Sequence, residues 1–315
     1  MTPKQRMKMD LVAARFIEAM TAWNWSNKTV VSYSQNVRAF FEWLEAESEV
    51  ETLAQVTPEI VASYQMALLS MEKKNGERLS VGTQHQRLTA IKSFFRFLVA
   101  EGKVLTNPTT SISLPKKRVV LPQALITAKE TIRMLESIDT TTPLGLRDRA
   151  VAELLYATGI RNSELRALKL TDFDPHAGVI VIIAGKGNKD RVVPLGPVAT
   201  EIISNYISKA RPKLAKHPNV TNLFLTKNGR PLDALAVINV VKRASKGAGI
   251  TKPIRPHRLR HACATHMLGG GADIRHIQKL LGHSSLQTTQ IYTKVEISDL
   301  KSVHRRFHPR EQGRR

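Results

Sequence analysis

Apolar residues recur at helical spacing through the first hundred positions. Val12, Phe16, Met20 and Trp23 form one stripe, and Val30, Tyr33, Val37, Phe41 and Leu44 form a second behind Ser26, a residue suited to capping. Thr57-Pro58-Glu59 reads as a helix start, with Thr57 as N-cap and Pro58 in the first turn. Ser80 opens a fourth helix through Leu88, Ile91, Phe95 and Leu98, and Gly102 stands where a C-terminal cap belongs. At this spacing the aromatics are core residues and not a platform on which bases stack.

From about 105 to 122 the pattern breaks at Asn107-Pro108, Pro115-Lys116-Lys117-Arg118 and Leu121-Pro122. The reading is a helical unit over 8–104, a linker over 105–122 and a second unit over 123–310. Such a basic linker suits two domains that close around an elongated anion, but the sequence alone favours an ordinary solvated connection. In the second unit Thr127-Ala128-Lys129-Glu130 matches a capping box, and an amphipathic helix runs from Leu146 to Tyr156. Val179-Ile180-Val181-Ile182-Ile183 is a β-branched run, and Arg191-Val192-Val193 returns from a turn to make a hairpin. Asn222 to Thr226 is read as a further short strand. Leu235 to Phe307 is almost wholly helical, broken at Gly269-Gly270-Gly271 and Gly282. The fold class is mainly α with a small β-sheet.

Charge adds the partner. The 315 residues hold 48 Lys and Arg against 26 Asp and Glu, a net +22 spread along the whole length. That excess points to a polyanion, nucleic acid above all, because membrane surfaces favour one basic amphipathic helix or a terminal cluster. A single cysteine, Cys263, allows no internal disulfide and suits a reducing, cytoplasmic setting. The N-terminal stretch is no secretory signal, being interrupted by Asp10, Arg15 and Glu18, and the purest apolar run, from Val179 to Ala184, is too short to span a bilayer.

Three places carry candidate chemistry. Gly185-Lys186-Gly187 lacks the spacing of a nucleotide-binding loop, so what remains is a tight turn that presents Lys186 and Lys189 beyond a hairpin. His257, His261, His266, His276 and His283 lie close in sequence with Cys263 among them. His257 and His261 have metal-ligand spacing, but Arg258 and Arg260 between or beside them would repel a divalent cation. Arginine beside imidazole suits an anionic oxygen, and His257 and Arg260 share a helix face. Arg161 stands three residues before Glu164, which reads as a structural ion pair or as a carboxylate that holds a working guanidinium in place.

Taken in order, these pieces resemble the tyrosine recombinase (phage integrase) family, most of all its Xer-type bacterial members. The matching segments are Ala157-Thr158-Gly159-Ile160-Arg161-Asn162-Ser163-Glu164-Leu165, Gly185-Lys186-Gly187-Asn188-Lys189-Asp190-Arg191, His257-Arg258-Leu259-Arg260-His261, Leu281-Gly282-His283 and Ile291-Tyr292-Thr293. The resemblance extends to the Asn107-Pro108 linker and to Phe307-His308-Pro309. It implies a helical, SAM-like core-binding domain followed by an α+β catalytic domain. It also implies six active-site positions: Arg161, Lys186, His257, Arg260, His283 and Tyr292.

The implied reaction is attack by the Tyr292 hydroxyl on a DNA phosphodiester, giving a 3′-phosphotyrosine and a free 5′-hydroxyl. Two guanidiniums neutralise the phosphate, Lys186 donates to the leaving oxygen, and His257 or His283 serves as base. Neither metal nor nucleotide cofactor is implied. The implied partners are double-stranded DNA and a homo- or hetero-tetramer on two duplexes, possibly including a related recombinase, with cyclic exchange of the C-terminal segment. The rival readings are a type IB topoisomerase-like enzyme and a basic DNA-binding regulator that never cuts.

Overall fold

Short-range chemistry sets most helix starts. Ser26, Thr57 and Ser80 each accept a backbone N–H with their side-chain oxygen, from Thr29, Ile60 and Thr83. They open α2 (Asn27–Glu47), α3 (Pro58–Ser70) and α4 (Val81–Ala100), which follow α1 (Pro3–Ala22). Gly102 closes this helical series with φ +65°, a conformation that costs glycine nothing. In this computed structural model, residues 3–73, 75–115, 126–183, 190–217, 219–282 and 294–312 are described. The chain divides into two units, Met1–Leu121 and Pro122–Arg315.

The first unit is all helical among its described residues apart from isolated bridging. Its core holds Phe16, Met20, Phe40, Leu44, Tyr64, Phe94 and Phe95, with Phe16 and Phe94 packed edge to face at 5.3 Å. The predicted stripes therefore do face a core, with one exception. Trp23 is 53% exposed, because the first helix ends at Ala22 and the chain turns through Asn24 at φ +57°.

In the second unit Thr127 and Glu130 form the expected capping box at the start of α5 (Ala128–Glu136). α6 (Pro143–Thr158) starts at the N-cap Thr142 and is more deeply buried than an amphipathic helix, with every residue from Ala150 to Ile160 inside. α7 (Asn162–Ala167) follows directly. Next comes a three-stranded antiparallel sheet of β1 (Phe173–Asp174), β2 (Val179–Ile182) and β3 (Arg191–Pro194) in that spatial order. The hairpin register pairs Val179 with Pro194 and Ile182 with Arg191. Asn222 to Thr226 does not become a strand: Asn222 and Leu225 make only isolated bridges, to Lys169 and Pro231.

α8 (Pro197–Asn205) passes through a π turn at Tyr206–Ala210 into α9 (Arg211–Leu214). Then follow α10 (Ala234–Gly247), α11 (Pro256–Gly269), α12 (Ile274–Leu281), α13 (Lys294–Phe307) and α14 (Pro309–Gln312). α6 is the hub, packed against α8, α10 and α11, while α13 lies against β3, α11 and α12. Gly271, with φ +99°, and Gly282, with φ +63°, fall at the two predicted breaks.

The last helices are held by an unusual set of donors. The carbonyls of Tyr156 and Ala157, left free at the end of α6, accept from Nε2 of His308 (3.2 Å) and His304 (2.7 Å). The two imidazoles are buried and stacked, with ring centroids 4.6 Å apart. Next to them Arg310 grips Glu153 through Nε at 2.7 Å and Nη2 at 3.1 Å, and Arg149 reaches the same carboxylate at 3.3 Å. Tyr156 donates its hydroxyl to Nδ1 of His266 at 3.0 Å, since Nε2 of that ring must carry the proton given to the carbonyl of Ile126. Burial lowers the His266, His304 and His308 pKa values, His308 the furthest.

Candidate active site

α6 ends where the site begins. Gly159 caps it in the left-handed region at φ +61°, and the next residues turn sharply into α7, whose N-cap is Arg161. A Cβ on Gly159 would stand 2.5 Å from Cδ2 of Leu281 and 3.4 Å from Sγ of Cys263, so α12 can close on this corner only over a bare glycine. Gly159→Ala should therefore lower stability by about 1–3 kcal/mol, combining left-handed strain with the collision, and a urea melt would read it. Cys263 itself is fully buried here, its thiol pushed up to about 12 by that burial.

Glu164, at the third position of α7, organises the corner. Its Oε2 accepts the backbone N–H of Arg161 at 2.8 Å, half of a capping box, and its Oε1 accepts Nη1 of Arg161 at 2.7 Å. From the other side Arg191 meets the same carboxylate in a fork, Nη1 to Oε1 at 3.0 Å and Nη2 to Oε2 at 2.8 Å. Burial alone would raise the Glu164 carboxyl. The bonds from Arg191 and from the Arg161 backbone outweigh it and hold the group down at about 2. Glu164 is thus ionised across the working pH range, between two cations.

Arg260 arrives from α11, one turn in from its N-terminus, and is 5% exposed. It donates Nη1 to the carbonyl of Gly159 at 2.5 Å and Nη2 to that of Leu281 at 2.7 Å. Burial, then the neighbouring charge of Arg161, brings it down to about 10, still cationic at neutral pH.

Three successive carbonyls at the end of α12 receive three different arginines. Leu280 accepts Nε of Arg191 (3.2 Å), Leu281 accepts Arg260, and Gly282 accepts Nη2 of Arg161 (3.0 Å). These carbonyls have no partner within their own helix, and they form its negative pole, so cations are stabilised there. The structure thus brings Arg161 and Arg260 together, 99 positions apart in sequence, at the residue before His283. Each keeps N–H groups beyond those bonds, because a guanidinium carries five.

His257 sits one turn before Arg260 on α11 and is exposed. Lys186, His283 and Tyr292 lie outside the described residues. The other histidines do not gather: His261 is exposed, His266 faces Tyr156 and Ile126, and His276 lies on α12. The role of Arg191 escaped the sequence reading, which placed it at the start of a returning strand and at the end of a matching segment but gave it no task. The local sign was an arginine heading a strand otherwise apolar, which asks for a buried partner without saying which.

The pattern of the phage integrase family matches residues 124–298, and that of the phage integrase N-terminal SAM-like domain matches residues 14–102. The chain is 41% identical to tyrosine recombinase XerC 2 of Ralstonia nicotianae over 303 residues, 95% of this chain and 87% of that protein. It is 39% identical to tyrosine recombinase XerD of Listeria monocytogenes, over 90% of this chain and 94% of the other. Among solved structures, the XerH site-specific recombinase bound to palindromic difH substrate in a post-cleavage complex superimposes with a TM-score of 0.66 at 24% identity, covering 88% of this chain and 79% of that one. The lambda integrase dimer bound to a COC′ core site gives 0.66 at 19%, covering 90% and 99%. At those identities the likeness is one of fold.

Two arginines converging on a helix end, in a SAM-like plus integrase architecture, place this chain in the phage integrase family. Within that family it is an Xer-type tyrosine recombinase. No helix among the described residues is long and apolar enough to cross a membrane.

Proposed function

We propose that this protein cuts and rejoins double-stranded DNA at specific sites, with Tyr292 as nucleophile and a Holliday junction between two rounds of strand exchange. The region 8–104 acts as a core-binding domain and 123–310 as the catalytic domain, joined by 105–122. The observation that carries the reading is the pair Arg161 and Arg260, fixed around the carbonyls of Leu281 and Gly282 directly ahead of His283.

In this reading a phosphodiester lies against the remaining N–H groups of the two guanidiniums, which are permanently charged and donate in a plane. The Tyr292 oxygen bonds to phosphorus while the bond to the 5′-oxygen breaks. A free phenol has a pKa of about 10, so His257 or His283 takes its proton, and Lys186 gives one to the departing 5′-oxygen. The covalent phosphotyrosine keeps the bond energy, and a 5′-hydroxyl from the same or the partner duplex reverses the step. Four protomers, of one kind or two, hold two duplexes in the cytoplasm. Likeness to XerC and XerD over nearly the whole chain favours resolution of chromosome or plasmid dimers over mobile-element integration.

The test is covalent trapping on a nicked duplex built on the sequence the protein protects from nuclease. Wild type should become attached to DNA, with the adduct mapped to Tyr292 by mass spectrometry, while Tyr292→Phe binds with unchanged affinity and forms none. Relaxation of supercoils with no recombinant product would point to the topoisomerase-like reading. Full activity in Tyr292→Phe would point to a regulator that never cuts.

A further inference from the structure

Arg191 is committed on every side. It is the first residue of β3, its side chain is 4% exposed, and Nε, Nη1 and Nη2 are all bonded within the protein. All three nitrogens are thus spent on the Glu164 carboxylate and the end of α12. Its two terminal nitrogens take both oxygens of the carboxylate that holds Arg161, and its Nε takes the carbonyl of Leu280, two residues before Gly282. A Cβ built on Gly282 would stand 3.1 Å from Cδ, Nε and Cζ of Arg191, so the arginine fills the space that only glycine leaves at this bend.

Resting on the function proposed above, we infer that Arg191 is a positioning residue: it fixes the plane of the Glu164 carboxylate and the end of α12, and through them aims Arg161 and the chain entering His283. The physical reason is geometric. With Arg191 in its fork, Glu164 meets Arg161 through one side-chain N–H and the backbone N–H, leaving the other guanidinium N–H groups for phosphate and for Gly282. Without Arg191, each carboxylate oxygen keeps only its bond from Arg161, the carboxylate plane is no longer held from the far side, and the guanidinium of Arg161 can swing with it. The same arginine begins the strand that returns from residues 184–189, so hairpin and guanidinium pair share one fixed point. Lysine cannot replace it, since a single ammonium reproduces neither the fork nor the bond to Leu280.

The experiment uses the full chain and the nicked duplex described above, with adduct formation followed in a single turnover at saturating protein. Arg191→Met should bind with wild-type affinity yet form adduct about 10- to 100-fold more slowly per bound complex, as for a small misplacement of a reacting group. The acid limb of its rate profile should also move to higher pH, because Glu164 has lost its strongest anion-stabilising partner. Arg191→Lys, which keeps the charge and carries the test if the methionine variant does not fold, should remain at least several-fold slow. An adduct rate per bound complex equal to wild type in the folded variant, with loss only in proportion to unfolded protein, would overturn the inference. Absence of adduct from wild type itself would instead overturn the function on which it rests.

Discussion

Glu164→Ala should lose about 3–5 kcal/mol of folding stability and all detectable strand cleavage, the first because removing one member of a buried ion pair leaves its partner charge uncompensated. Here one deletion strands two partners. Arg191 is almost wholly buried and loses its only carboxylate among the described residues, and Arg161, at 24% exposure, loses the bond that orients it. Glu164→Gln keeps the shape but turns an amide N–H toward guanidinium N–H groups, so it should fall between wild type and alanine. Urea melts read the stability and the nicked-duplex assay reads the chemistry. A wild-type melt for Glu164→Ala would mean the corner is held by packing alone.

The second large effect is expected from acid. His304 and His308 each give their Nε2 proton to a carbonyl of α6, and Nδ1 of His308 accepts the backbone N–H of Arg310 at 3.3 Å. Accepting at Nδ1 requires the His308 ring to be neutral, and burial disfavours the charged form of both rings. A proton added to His308 meets the His304 ring, the cationic Arg310 and His266, with Glu153 already engaged by Arg149 and Arg310, and one added to His304 meets burial. Their folded pKa values lie below the unfolded 6.5, so the native state binds fewer protons than the unfolded one. The stabilisation is complete above about pH 6.5 and drains away as pH falls below it, each unit of lowering being worth about a factor of ten. Protection of the α13 and α14 amides, measured against the slowing of intrinsic exchange, should therefore fall between pH 7.5 and 5.5, while that of α10 changes little. His308→Gln, which keeps an N–H donor without the titration, should flatten that dependence. An exchange profile in α13 that follows intrinsic chemistry alone would show that the imidazoles do not govern the docking.

What could be read along the chain was what is decided within a few residues. Ser26, Thr57, Ser80 and Thr127 announce their helices because a cap reaches only three positions ahead, and the 179–193 hairpin announces itself by β-branched runs around a turn. The Arg161–Glu164 pair was legible for the same reason, being one helical turn apart. Long-range partners were not. Arg191 and Glu164 are 27 positions apart, and nothing local says that an arginine heading a strand will share a carboxylate with a helix N-cap. His304 fell within the helical run to Phe307 and His308 within Phe307-His308-Pro309, yet their acceptors are main-chain atoms 147 and 152 positions earlier, which no side-chain pattern encodes. Asn222 to Thr226 misled because Leu223, Phe224 and Leu225 are buried in the core, Phe224 stacked on Tyr206, while its bridges never extend into a ladder. The six candidate positions come together as a set only through likeness to a family, since each residue alone has an ordinary structural use.

The seat beneath the last helix is built largely from peptide oxygens, and a peptide oxygen does not distinguish one chain from another. A second copy of the same tail would meet the same two acceptors and the same Glu153. Occupancy is then a contest of tether lengths: the attached tail wins in dilute solution by its effective concentration, and crowding several copies on one scaffold removes that advantage without altering a single contact.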